Sequence, residues 1–74
     1  MNLSQAKMNT NLIVKNFTAE EKSKIRLMEL GLYEGVNIYV KHKSILKKNL
    51  LIVFNNSCFV INDEVARAIE VEYV

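Results

Sequence analysis

The sequence contains few of the residues that form disulfides, metal sites or membrane spans. Its 74 residues include one cysteine, Cys58, one histidine, His42, and no proline. A single cysteine excludes an internal disulfide and a zinc site built from several cysteines. The longest apolar run, Leu50 to Phe54, is far shorter than the ~20 residues of a membrane-spanning helix. Residues 1–9 lack the basic start and apolar stretch of a signal peptide, so we expect a cytoplasmic protein.

Length and charge limit the class of protein further. Half of the residues are apolar and 24% are charged, a globular composition. A chain this short has room for one thin core, so we expect a single domain over residues 1–74 and no active-site cleft between lobes. The net charge is only +2, which argues against a nucleic-acid binder because phosphate neutralisation supplies most of the affinity of such proteins.

One segment has the pattern of an amphipathic helix. Thr18 stands three residues before Glu21, the spacing of a capping box. Apolar residues then recur at helical spacing: Ile25, Leu27, Met28, Leu30 and Leu32. Gly31 can adopt the positive φ that ends many helices. We therefore predict a helix over residues 19–30.

The remaining segments have the pattern of short strands. Residues 12–14, 36–43, 50–54, 58–61 and 69–74 are predicted strands. Residues 50–54 are apolar on both faces, as for a strand covered on two sides, and 55–57 form a polar turn. The sequence therefore predicts a mainly β protein, a small SH3-like barrel of about five strands with one helix after the first. Closure into a barrel would remove exposed sheet edges.

The chemically reactive residues do not form a catalytic set. Alternation along its strand points His42 inward or to the barrel mouth, and Cys58 is expected to fill the core. Together these two side chains are too few for a tight zinc or iron site. Asp63 and Glu64 are explained by helix capping. We expect no catalytic residues, no metal site and no cofactor.

Lysines gather at the end of the second predicted strand and in the segment before the third, at positions Lys41, Lys43, Lys47 and Lys48. Pairing of these strands as a hairpin would place the lysines at its tip. A solvated loop that protects a strand edge is one interpretation. An electrostatic contact for an acidic or membrane-proximal partner is the other.

Two stretches resemble the FeoA family. Residues 25–36, IRLMELGLYEGV, resemble its helix-to-strand signature: arginine-leucine, then leucine-glycine-leucine, then a glycine that opens a strand. Residues 59–71 resemble its final strand, alanine-bearing turn and isoleucine-x-valine strand. Two positions depart from the pattern, since Glu34 replaces a common proline and Asn9 stands near a common glycine.

This resemblance implies a small cytoplasmic SH3-like protein of bacterial ferrous iron uptake. Such a protein acts without catalysis, by contact with the FeoB-type membrane transporter or its GTP-binding domain, and reaches the membrane only through that partner. We expect Leu30, Leu32 and Tyr33 to provide an apolar edge for this contact, with the four lysines adding attraction. Two alternatives stay open: a nucleic-acid-binding barrel, and a module that self-assembles into homo-oligomers through exposed strand edges.

Overall fold

The computed structural model describes residues 1–44, 46 and 48–74. A short 3₁₀ helix, Leu3–Gln5, comes first. The elements that follow are β1 (Thr10–Phe17), α1 (Glu21–Glu29), β2 (Asn37–Lys43), β3 (Asn49–Phe54), β4 (Ser57–Asn62), α2 (Asp63–Arg67) and β5 (Ile69–Tyr73). The predicted fold class is confirmed: the protein is mainly β, with five strands and a helix between the first and the second.

All five strands belong to one antiparallel sheet with the order β4-β3-β2-β1-β5. Two register shifts, between Val14 and Asn16 in β1 and between Val40 and His42 in β2, bend the sheet around its core. The sequence predicted that closure would remove the sheet edges. The structure differs, because β4 and β5 are the two outer strands of this order.

A two-residue turn connects β3 to β4. Phe54 pairs with Ser57, and the two residues between them, Asn55 and Asn56, have φ values of 53° and 59°. Positive φ at both central positions is typical of a type I′ turn, whose twist matches that of the flanking strands. Asparagine tolerates this conformation better than most residues. The turn therefore fixes the register of the whole hairpin.

Alternate strand residues form the hydrophobic core. The strands contribute Leu12, Val14, Phe17, Ile38, Val40, Leu50, Ile52, Phe54, Ile61, Ile69 and Val71. Leu3, Ala6 and Ala66 cover it from the 3₁₀ helix and α2. On the other face of β3, Leu51 and Val53 are half-buried. The expectation that β3 is covered on both sides is therefore wrong, and its second face forms part of the surface.

The start of α1 differs from the predicted capping box. The helix begins at Glu21, and Glu20 at the N-cap makes no side-chain capping hydrogen bond. Thr18 lies outside the helix, where its N–H donates to the carbonyl oxygen of Ala68 at 2.8 Å and its hydroxyl donates to the same oxygen at 3.4 Å. The threonine thus connects the end of β1 to the start of β5. The Thr18 N–H and hydroxyl, which a capping box would use at the start of α1, are hydrogen-bonded to Ala68 instead.

The end of α1 agrees with the prediction. Gly31 has φ of +99°, and its N–H donates to the Met28 carbonyl at 2.9 Å. The Leu32 N–H donates to the Leu27 carbonyl at 3.0 Å. These two bonds form a Schellman motif, and the burial of both Leu27 and Leu32 supplies its usual apolar contact.

Candidate functional site

Neither His42 nor Cys58 packs in the core. Both are exposed, and they sit on different strands. The register shift after Val40 interrupts the inward and outward alternation of β2, so His42 turns toward solvent. Cys58 alternates with inward-facing Phe59 and Ile61, so it lies on the outer side of β4. Within residues 1–44, 46 and 48–74, no group of three or more metal-ligating side chains is assembled.

The two adjacent carboxylates have structural roles at α2. The side-chain oxygen of Asn62 caps this helix by accepting from the Val65 N–H at 2.8 Å. Asp63 and Glu64 occupy the first turn, where the helix dipole favours negative charge. Arg67 lies one turn later, with its Nε 2.8 Å from an Asp63 carboxylate oxygen.

The predicted apolar edge after α1 is only partly at the surface. Leu30 is 47% exposed and Tyr33 is 52% exposed, whereas Leu32 is 0% exposed. Leu32 was expected to be a contact residue, and this is wrong, since the Schellman motif turns its side chain into the core. Its position indicates that it supports the loop from inside.

The structure also exposes two apolar residues that the sequence placed on the buried face of the helix. Ile25 and Met28 are each nearly half exposed, and only Leu27 of α1 is buried. Ile25 and Met28 are three positions apart and therefore share one helix face. Met28 also lines a shallow groove of about 330 Å³ with Tyr33. We refer to Ile25, Met28 and Tyr33 as the α1 patch.

Leu30 belongs to a different side of the helix. It follows Ile25 by five residues, which corresponds to about 140° around an α-helix of 3.6 residues per turn. The groove beside the α1 patch is bordered instead by Phe17, Lys24 and Glu34. The patch thus has an apolar centre with one cation and one anion at its border.

The lysines do not form a single cluster of free charges. Lys41 and Lys48 are exposed. Lys43 is half-buried, and its Nζ donates to the carbonyl oxygens of Ser4 at 2.8 Å and Ala6 at 2.9 Å. These bonds occupy Lys43 within the fold, which corrects its predicted role at a free hairpin tip. Lys47 lies outside the described residues.

The connection between β2 and β3 is anchored at its base. The Ser44 N–H donates to the Asn49 carbonyl at 3.0 Å, and the Ser44 hydroxyl oxygen accepts from the Lys48 N–H at 2.9 Å. The Lys48 carbonyl accepts from the Asp63 N–H at 2.7 Å. Lys48 is therefore held near the start of α2 and is exposed at the surface.

Comparison with known proteins agrees with this architecture. The model of the FeoA domain family matches residues 1–73. A Campylobacter jejuni protein whose name assigns it provisionally to Fe(2+) transport is 26% identical over 74 residues, and the match covers all of both chains. No helix in the described ranges is long and apolar enough to cross a membrane.

Two solved structures show the same fold. The solution structure of the FeoA protein from Chlorobium tepidum superposes with a TM-score of 0.92 at 27% identity, covering 100% of this chain and 70% of that one. The zinc complex of FeoA from Stenotrophomonas maltophilia, described as an SH3 domain protein, has a TM-score of 0.83 at 24% identity, covering 97% and 89%. Because the family model spans nearly all of the residues that build the sheet and both helices, the chain belongs to the FeoA family.

Proposed function

We propose that this protein is a non-catalytic accessory protein of ferrous iron uptake that acts in the cytoplasm by docking on the GTP-binding region of a FeoB-type transporter. The observation that carries the proposal is the FeoA family match over residues 1–73. The C. jejuni relative, named for Fe(2+) transport, supports the same process. In this proposal residues 1–74 act as one domain.

The α1 patch is the surface that best suits such a contact. Exposed apolar side chains grouped on one face mark interaction sites more often than single exposed residues do. Tyr33 is 52% exposed and can bury a large ring while its hydroxyl stays hydrogen-bonded at the rim. Aromatic residues are enriched among the side chains that dominate binding energy. Tyr33 is therefore the proposed anchor, with Met28 beside it in the groove.

The exposed lysines supply a second, weaker contribution. Lys41 and Lys48 carry charge into solvent near the β2–β3 connection. Exposed charges at the rim of an interface mainly accelerate association, and salt screens their effect. An acidic partner surface would thus bind faster at low ionic strength, while the α1 patch would determine how slowly the complex dissociates.

The test is a titration of this chain against the purified GTP-binding region of the transporter from the same organism. It is run with and without a GTP analogue, at low and moderate salt, and followed by calorimetry. Saturable binding is the expected result, and dependence on the nucleotide would indicate regulation of the GTP cycle. If neither this region nor the detergent-solubilised full transporter binds under any condition, the docking proposal is wrong.

Tyr33→Ala tests the surface itself. Loss of an aromatic anchor costs at least ~1–2 kcal/mol in most interfaces, so affinity should fall about 5- to 30-fold. Tyr73→Ala is the matched control, because Tyr73 is also about half exposed but lies on β5. Equal losses of affinity for the two variants would show that the α1 patch is not the contact surface.

Lys48→Ala should lower the association rate at low salt and have little effect at high salt.

A further inference from the structure

The outer edge of β4 has hydrogen-bonding groups without a strand beside them. β4 pairs with β3 on one side and is the last strand of the sheet. In a hairpin closed by a two-residue turn, hydrogen-bonded and non-hydrogen-bonded pairs alternate outward from the turn. The Phe54–Ser57 pair is hydrogen-bonded, so Cys58 and Val60 fall at non-hydrogen-bonded positions. Their N–H and C=O groups therefore point away from β3.

The other described elements do not satisfy these groups. In the part of the chain that the structure describes, no loop, turn or cap hydrogen bond reaches the backbone of Cys58 or Val60. At the opposite edge of the sheet, by contrast, another segment of the chain pairs with the outer strand. Beside β5, the Met1 carbonyl accepts from the Val71 N–H at 2.9 Å, and Asn2 forms a bridge with Glu70. The amino-terminal segment thus covers β5, whereas β4 stays open.

The sequence of β4 also lacks the usual protection of an edge strand. Natural edges carry lysine, proline or a bulge that prevents pairing with another chain. Ser57–Asn62 reads SCFVIN, without a charged residue or a proline, and it pairs with β3 in an unbroken register. Val60 is 71% exposed at its centre. This strand is therefore competent to add a further strand.

The outward face next to this edge is apolar. On that face Cys58 is opposite Val53 and Val60 is opposite Leu51. Leu51 and Val53 are half-buried, and the two β4 residues are exposed. The four side chains form a strip along the edge, so a strand added beside β4 would meet apolar groups as well as the free backbone.

We propose that the occupant of this edge is a second copy of the chain, paired antiparallel β4 to β4 about a twofold axis. In this arrangement Cys58 of each copy is opposite Val60 of the other, and four backbone hydrogen bonds form between the free groups. The axis passes beside Phe59, whose neighbours carry no charge. Charge favours this occupant, because a twofold axis brings the residues beside it close to their own copies, and the uncharged sequence SCFVIN places no like charges together there.

The size of the contact sets its strength. A six-residue strand is about 20 Å long, and one strand edge per copy with its flanking side chains lies below the ~1,200 Å² of total surface that stable complexes bury. The dimer is therefore weak and in rapid exchange, and it forms as concentration rises. It does not depend on the proposed transporter contact, since the α1 patch is not part of the β4 edge.

The test is NMR spectroscopy of the isotopically labelled full chain across a dilution series, combined with sedimentation equilibrium and run in reductant so that exposed Cys58 cannot cross-link two copies. Chemical-shift changes on dilution are expected at the amides of Cys58 and Val60, while the amides of β5, at the opposite edge of the sheet, should stay unchanged. The sedimentation data should show a monomer–dimer equilibrium. A chain that stays monomeric at millimolar concentration overturns the proposal, as do shift changes located on α1.

Val60→Lys places a cation on each side of the seam and should weaken dimerisation at least 10-fold. Leu46→Lys is the matched control, since Leu46 is 74% exposed and the change in net charge is the same. Dimerisation that survives Val60→Lys unchanged contradicts the proposal. Cys58→Lys provides an independent second variant, and the dispersion of the amide spectrum establishes that each variant is folded. Tyr33→Ala should weaken transporter binding and leave dimerisation unaffected. The two proposals can therefore fail independently, one in the binding titration and the other in the sedimentation experiment.

Discussion

At the scale of single residues, Lys43 connects β2 to the amino-terminal 3₁₀ helix. Its ammonium group donates to two backbone carbonyls, those of Ser4 and Ala6. These carbonyls lie at the end of the short helix, where no residue of the helix can satisfy them. A hydrogen bond to a charged group contributes more than a neutral one, because the charge strengthens the interaction in a partly desolvated site.

Replacing Lys43 by methionine keeps the alkyl stem and removes the charge. We expect a loss of about 1–3 kcal/mol in the free energy of unfolding, the cost of leaving polar groups unpaired. Urea denaturation followed by circular dichroism measures it. Lys41→Met is the control, since Lys41 is exposed and should change stability by about 0.5 kcal/mol or less. If the two variants have equal midpoints, the hydrogen bonds of Lys43 contribute nothing to stability.

Single-residue environments were the least predictable part of the site. Lys43 and Lys48 look equivalent in the sequence, but only the tertiary structure shows that the first is hydrogen-bonded within the fold and the second is exposed. His42 was assigned to the wrong side because the register shift in β2 depends on its pairing with β3, which the sequence of β2 does not reveal. Tyr33, by contrast, is 52% exposed, as a contact residue must be, and its contact role stays a prediction.

At the scale of elements, the turn of the β3–β4 hairpin suits its strands, but the second turn residue, Asn56, is not the most favourable one for that conformation. Asn55 and Asn56 both have positive φ. Asparagine-glycine is the preferred pair for a type I′ turn, because glycine has no steric penalty at the second position. Asn56→Gly should therefore stabilise the protein by a few tenths to about 1 kcal/mol, despite the greater entropy of glycine in the unfolded chain.

A substitution with the opposite expected effect provides the control for this turn. Asn56→Val places a β-branched residue at positive φ, which is a strained conformation, and should destabilise the protein by about 1–2 kcal/mol. Thermal unfolding of the three proteins gives the order glycine above asparagine above valine. An order in which valine equals asparagine would show that the turn does not restrict the hairpin.

Elements were predicted well where their signal is local. The alternation of Val36, Ile38 and Val40 correctly predicted β2, and Gly31 correctly predicted the end of α1. The predicted start of α1 was wrong because Thr18 is hydrogen-bonded to the Ala68 carbonyl, which is distant in the sequence. The α1 patch was missed for a related reason. Helical periodicity identifies an apolar face, but it does not tell whether a neighbouring element covers that face.

At the scale of the whole molecule, the thin core makes stability sensitive to each buried residue of the central strands. β1 lies between β2 and β5, and Leu12 pairs with Ile38 on one side and Tyr73 on the other. Leu12 is fully buried. A protein of this length has a total stability of about 4–11 kcal/mol, so one large cavity can remove a large fraction of it.

Leu12→Ala should destabilise the protein by about 3–5 kcal/mol, the sum of lost transfer energy and an unfilled cavity. At this chain length that loss lowers the melting temperature by at least about 10 °C, as measured by calorimetry. Ile13→Ala is the matched control on the same strand, since Ile13 is half-buried on the opposite face, and it should cost about 1–2 kcal/mol. Equal costs would mean that the two faces of β1 are equally buried in solution. A second layer, such as another copy of the chain, would then have to cover the outer face of β1 as well as the edge of β4.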